Sequence, residues 1–83
     1  MTSDETERRI HDLDATLRVG KGGIEPVAGE LADQVADRGL VKVKFLRAAR
    51  GGTTTEDLAA DLAELAGVEL VQTRGHTAVY EAR

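Results

Sequence analysis

None of the 83 residues is a cysteine, which excludes a disulfide framework and any thiolate metal site and fits a reducing compartment. Tryptophan is missing as well, and one phenylalanine and one tyrosine make up the whole aromatic content. An RRM or OB-fold sheet that stacks bases on exposed rings cannot be built from so few. Serine occurs only at Ser3, so a serine nucleophile paired with a base has no place in the body of the chain. No apolar run approaches the length of a membrane span, and Met1 is followed by Thr-Ser-Asp-Glu rather than by an apolar leader. A cytoplasmic protein is therefore expected. Charged residues are plentiful at 31%, alongside 41% hydrophobic residues, the balance of an ordinary globular chain. A length of 83 residues has room for one domain, near the lower limit for unaided folding, and for two layers at most.

Fifteen acids against eleven bases give a net charge of −4, which by itself argues against nucleic acid. The distribution says more than the sum. Residues 4–14 carry five acids and two bases, residues 25–37 four acids and no base, and residues 55–66 four acids and no base. Between these segments stand Arg18, Lys21, Arg38, Lys42, Lys44, Arg47 and Arg50, with Arg74 and Arg83 near the end. Lysine is scarce, at 21, 42 and 44 only. Arginine in place of lysine, together with acidic helices, is the pattern expected of a halophilic, salt-adapted protein.

Residues 4–14 can form a short helix with Ile10 and Leu13 on one face and Ser3 or Asp4 as cap. Residues 16–19 alternate as a half-buried strand, Leu17 and Val19 against Thr16 and Arg18. After the turn 20–23, Pro26 suits the first turn of a helix, Val27, Leu31 and Val35 recur as its stripe, and Gly39 ends it. Residues 40–46 form the clearest strand: Val41, Val43 and Phe45 point one way, Lys42 and Lys44 the other. The run 47–52 reads as a mobile loop, and Thr53 to Thr55 offer caps for a third helix with Leu58, Leu62 and Leu65 inward and Gly67 at its end. Two strands, 68–73 and 77–83, close the chain as a hairpin about Arg74-Gly75-His76, with the buried face left open because Val68, Leu70 and Val71 do not alternate. Strands alternating with helices imply parallel crossovers and an α/β fold of order α-β-α-β-α-β-β, its helices on one face of a small sheet and the other face open.

Val19-Gly20-Lys21-Gly22-Gly23-Ile24 is the candidate site. It lacks the Gly-Lys-Ser/Thr ending of a P-loop, and Glu25 stands where the dinucleotide fingerprint needs its third glycine. What remains is a Gly-x-x-Gly pattern, Gly20 and Gly23 enclosing Lys21 and Gly22, of the sort that clamps nucleic-acid backbone in KH modules. A tight turn that needs glycine for its dihedrals accounts for the pattern equally well. The lysines favour the first reading, since all three lie in the turn or on the next strand's outward side, with Arg18 beside them if the first two strands are parallel neighbours. His11 and His76 have no second histidine, cysteine or converging carboxylate to form a ligand set, and the helix acids sit on separate exposed faces with no evident pocket. No metal, cofactor or enzymatic constellation is expected.

The chain resembles the CRM domain, the YhbY-like family of RNA-binding proteins associated with maturing large ribosomal subunits. The resemblance rests on Leu17-Arg18-Val19-Gly20-Lys21-Gly22-Gly23-Ile24, then Leu40-Val41-Lys42-Val43-Lys44, then Glu69-Leu70-Val71-Gln72 followed by Gly75-His76-Thr77, in that order over residues 10–82. It implies a four-stranded mixed sheet like that of the C-terminal domain of translation initiation factor three. It further implies that Gly20 and Gly23 form an RNA-binding loop, that Lys21 contacts RNA, and that a basic surface spreads from the loop over Arg18, Lys42 and Lys44. Members usually open with a basic first helix, whereas residues 4–14 here are acidic. Beyond the family pattern, Arg47, Arg50, Arg74 and His76 are added to the expected RNA-binding set. The expectation is thus a single, monomeric, non-enzymatic RNA-binding domain over residues 1–83, with rRNA or a pre-ribosomal particle as partner and neither a membrane nor a small-molecule substrate. The alternative is a protein-interaction module whose acidic helices meet a basic ribosomal protein.

Overall fold

Alternation buries Val41, Val43 and Phe45 completely on one side of a central strand, and the rest of the fold is arranged to cover that side. The computed structural model describes residues 13–83. The helix expected over residues 4–14 falls outside them, apart from Leu13 and Asp14, which belong to neither helix nor strand. The described elements are β1 (Ala15–Val19), α1 (Glu25–Arg38), β2 (Leu40–Phe45), a 3-10 turn (Arg47–Ala49), α2 (Thr55–Ala66), β3 (Glu69–Arg74) and β4 (Thr77–Glu81). The four strands form one mixed sheet in the order β1-β2-β4-β3, with β1 parallel to β2 and the other two pairings antiparallel.

Each helix closes as its sequence requires. Gly39 and Gly67 take φ of 86° and 71° after the last turns of α1 and α2, donating to the Val35 and Ala63 carbonyls. Thr54 caps α2, its hydroxyl accepting from the Asp57 N–H at 3.1 Å. Both helices lie on the same sheet face, and Leu31, Phe45 and Leu62 are each fully buried between the layers; burial of that kind is worth about 1.5–3 kcal/mol per side chain. The sole tyrosine is also buried there, donating its hydroxyl proton to the Ala59 carbonyl at 2.9 Å.

Leu65 departs from the expected stripe. It is 52% exposed, whereas Thr55, Ala59, Leu62 and Ala63 are buried. At 100° per residue Leu65 stands roughly a quarter-turn from the centre of that set. Ala59 and Ala63, flanking Leu62, let α2 approach the sheet. Two register shifts account for the other departures. One falls between Ala15 and Leu17, so Thr16 leaves the strand's alternation and reaches the helix layer, its hydroxyl donating to Gln34 Oε1 at 2.6 Å. The other falls between Leu70 and Gln72, with Val71 as the additional residue, and explains why β3 does not alternate.

Candidate nucleic-acid interface

The site is built where the chain leaves β1 and β2. Because these strands are parallel and each is followed by a helix, the glycine turn, residues 46–54 and both helix N-termini gather at one end of the sheet. The hairpin between β3 and β4 reaches the same end: the Phe45 N–H donates to the His76 carbonyl at 2.7 Å, continuing the β2–β4 ladder. Gly75 has φ of 59° and His76 an ordinary φ, the pattern of a two-residue II′ turn. Of the eleven residues expected to bind RNA, ten lie in or beside this cluster, and Lys42 stands one step further along β2.

Within the glycine turn the Gly23 N–H donates to the Gly20 carbonyl at 3.0 Å, leaving Lys21 and Gly22 as exposed central residues. Only Gly23 has a positive φ, 81°. A Cβ at Gly20 would meet Leu46 Cδ1 at 3.7 Å, and one at Gly22 would meet Pro26 Cγ at 3.7 Å, both ordinary contacts. The fold therefore requires glycine at 23 and tolerates a side chain at 20 and 22. The start of α1 is preceded by Ile24, which supplies no side-chain cap, and Pro26 brings no N–H. By contrast α2 is capped by Thr54. Since Val27 and Ala28 already donate their N–H groups to the Ile24 carbonyl at 3.0 and 3.1 Å, the Glu25 N–H is the one of this first turn left for an anion, where the helix dipole adds partial positive charge. Glu25 is the acid in that first turn.

Within the stretch 47–52, expected as a loop, Arg47–Ala49 form a 3-10 turn. The Ala49 and Arg50 N–H groups donate to the Leu46 and Arg47 carbonyls at 3.0 Å each, and the Leu46 N–H donates to the Val19 carbonyl at 2.9 Å. Arg50 Nε donates to the Phe45 carbonyl at 3.2 Å, which fixes this half-buried arginine against the end of β2.

The strand register places the remaining bases. On the face away from the helices, Arg18 pairs with Lys44, Lys44 with Thr77, and Thr77 with Arg74. These four residues form a row across all four strands at the loop end; Arg18, Lys44 and Arg74 are exposed and Thr77 half-buried. The next row holds Ala15, Lys42, Val79 and Gln72. There Val79 is only 1% exposed and Lys42 is half-buried, so this face is not open throughout. At the far end Glu69 stands directly opposite Glu81. The opposed carboxylates were invisible to patterning, since they depend on the β3–β4 register that the Val71 irregularity displaces. Phe45 and Tyr80 are both fully buried and offer no ring to a base. Among the described residues no His, Cys, Asp or Glu group could hold a metal ion, and no helix is long and apolar enough to cross a membrane.

Comparison with known proteins bears on the family and the fold. The profile of the CRS1 / YhbY (CRM) domain matches residues 2–80. A protein of Methanocaldococcus jannaschii designated a probable RNA-binding protein is 37% identical over 68 residues, covering 82% of this chain and 51% of the relative. The chain therefore spans about half the length of that curated relative. The solution structure of a hypothetical protein from Staphylococcus aureus, put forward as an RNA-binding protein, superposes with a TM-score of 0.72 at 31% identity. That match covers 93% of this chain and 79% of the other.

Proposed function

Since the chain belongs to the CRS1 / YhbY (CRM) domain family, we propose that it is an RNA-binding domain that recognises RNA backbone through residues 20–23 and the bases gathered round them. The observation that carries this reading is the glycine turn. Gly20 and Gly22 are glycines that the fold does not demand, at an exposed turn before a helix start without a side-chain cap. Their missing side chains leave room for a phosphate to approach the backbone N–H groups. Lys21 stands in the same turn as a charge partner, and Arg18, Lys44, Arg47 and Arg50 lie around it.

The target proposed is rRNA in a maturing large ribosomal subunit, bound by a cytoplasmic, salt-adapted, monomeric protein without catalytic activity. Contact with about four phosphates predicts a log-log salt slope near −2.8 on single-stranded RNA, at roughly 0.7 per phosphate. Replacing Lys21, Lys42 and Lys44 together by glutamate tests the reading by rRNA crosslinking in cell extract. Crosslinking should be lost. Unchanged crosslinking overturns it and favours an interaction module that uses Glu25, Glu30, Asp33 and Asp37 of α1 and the matching acids of α2, all of which are exposed.

A further inference from the structure

Val79 is buried on a side of the sheet that the two helices do not reach. It pairs with Lys42 on β2 and with Gln72 on β3, and alternation turns it away from Ala78 and Tyr80, which belong to the core shared with the helices. Val79 stands outside that core and is nevertheless only 1% exposed. Ala15, Leu40 and Lys42 on the same face are half-buried, whereas Arg18 and Lys44, one row nearer the loop end, are exposed. Sheet neighbours flank a valine and leave the direction away from the sheet to be filled by something else. Burial within a single chain means that the chain itself supplies the cover, and among the described residues no element lies on that side.

We infer that residues 4–12 lie across this face, with Ile10 against Val79, and hold Lys42 out of reach of RNA. The cover stands on the burial of Val79 alone; its consequence for Lys42 rests on the RNA-binding reading above. Val79 lies two strands from Ala15, about 10 Å, and the five residues from Ile10 to Ala15 span up to about 17 Å when extended, so the reach suffices. Apart from Met1, Ile10 and Leu13 are the only apolar residues before Ala15, and Leu13 is half-buried where the described chain begins. Ala15, Leu40 and Val79 offer such a pair an apolar surface. Residues 4–14 carry five acids and two bases, so the cover sets carboxylates near Lys42 and opposes a polyanion approaching from that side. The RNA surface is thereby narrowed to the loop end, around residues 20–23, Lys44 and Arg47.

Two measurements on the full chain test the cover. In methyl NOE spectra of the wild type, Ile10 should give cross-peaks to the Val79 methyls, and mixing labelled with unlabelled chain should place these contacts within one molecule. The chain has lysines only at 21, 42 and 44, which supply the second readout. Brief acetylation followed by mass spectrometry should modify Lys42 several-fold more slowly than the exposed Lys21 and Lys44, and Ile10→Ser should remove most of the difference. Thermal melts check folding, and Ile10→Ala serves in its place if Ile10→Ser does not fold. Val79 contacts made only by the Lys42 stem, contacts between two copies, or Lys42 reacting as fast as Lys44 in the wild type overturn the cover. In titrations with a short single-stranded RNA across a salt series, the uncovered variant should gain a phosphate contact at Lys42 and steepen the log-log slope by about 0.7. An unchanged slope in a folded, uncovered variant overturns the restraint on Lys42 and leaves the cover standing. Absence of wild-type binding removes the RNA reading, and that restraint with it, while the NOE still decides the cover.

Discussion

The Gly22→Ala variant separates a glycine kept for the fold from one kept for a ligand. Gly22 has no positive φ, and the added methyl would lie 3.7 Å from Pro26 Cγ, an ordinary contact. Replacing such a glycine restricts the unfolded chain more than the folded one, so the variant should be more stable by about 0.4–1 kcal/mol. For a domain of this size that is a rise in Tm of about 2–8 °C, at about 4–8 °C per kcal/mol. Binding should move the other way. The methyl stands at an exposed turn where phosphate oxygens must come within hydrogen-bond reach of backbone N–H groups. Loss of one charge-assisted bond costs about 1.5–3 kcal/mol, or roughly a 10- to 150-fold rise in Kd at 1.4 kcal/mol per tenfold. Thermal melts and titration of a fluorescent RNA read the two effects on the same samples. Gly23→Ala is the contrasting variant: its φ of 81° is left-handed, and alanine there should cost about 1–2 kcal/mol. A Gly22→Ala protein that melts higher and binds RNA as wild type would refute the assignment of the turn to phosphate recognition. One that melts lower would show that the fold needs this glycine after all.

Gly29 lies exposed inside α1 with no positive φ and nothing within 4 Å of a Cβ; Gly29→Ala should raise stability by roughly 0.5–1 kcal/mol, measured by urea denaturation. Burial pushes the Tyr80 phenol well above its ordinary pKa of 10.0. Because the folded-state value is raised, the corresponding stability is fully present below pH 10 and is lost as the pH climbs beyond it. Denaturation midpoints should therefore fall above that pH, and Tyr80→Phe should lessen the fall. With a net charge of −4 and the acids of both helices exposed, added KCl should raise Tm as the screening length drops from about 10 Å at 0.1 M to about 3 Å at 1 M; a steady decrease would contradict salt adaptation.

From β1 onward, patterning reached the element order and the helix ends because those depend on local chemistry. Gly39 and Gly67 close helices through their own φ angles, and Thr54 caps α2 through a bond three residues away. What escaped it depends on register. The shift at Thr16 removes that residue from the side Arg18 occupies, and the irregularity at Val71 decides which β3 residues share a face with Lys44. A one-residue shift exchanges the two faces of a strand, and neither shift carries a glycine or proline to announce it. Leu65 misled for a different reason: its hydrophobicity competes with the small alanines for the inward stripe, and packing distance settles the contest in favour of the alanines. The bases of the loop end were readable as residue types, whereas their order across four strands was not.

That order bears on how a chain of net charge −4 could hold a polyanion. At low salt the acids of both helices oppose RNA at long range, and the total charge is the wrong sign. In a salty cytosol screening falls to a few ångströms, which erases that repulsion together with any diffuse attraction. Affinity must then come from groups in direct contact, where hydrogen-bond geometry decides. An arrangement suited to that regime holds the backbone of its binding loops in place, and the loop end of this chain is hydrogen-bonded in that way. Arg50 is tied to the Phe45 carbonyl, the turn at 20–23 is closed by its own hydrogen bond, and residues 46–50 are pinned to the ends of β1 and β2. The ordering entropy of the loops is met on folding rather than on binding, which lowers the cost of association. On the proposed reading, the acids on the helix layer then serve hydration and solubility without opposing RNA at the loop end.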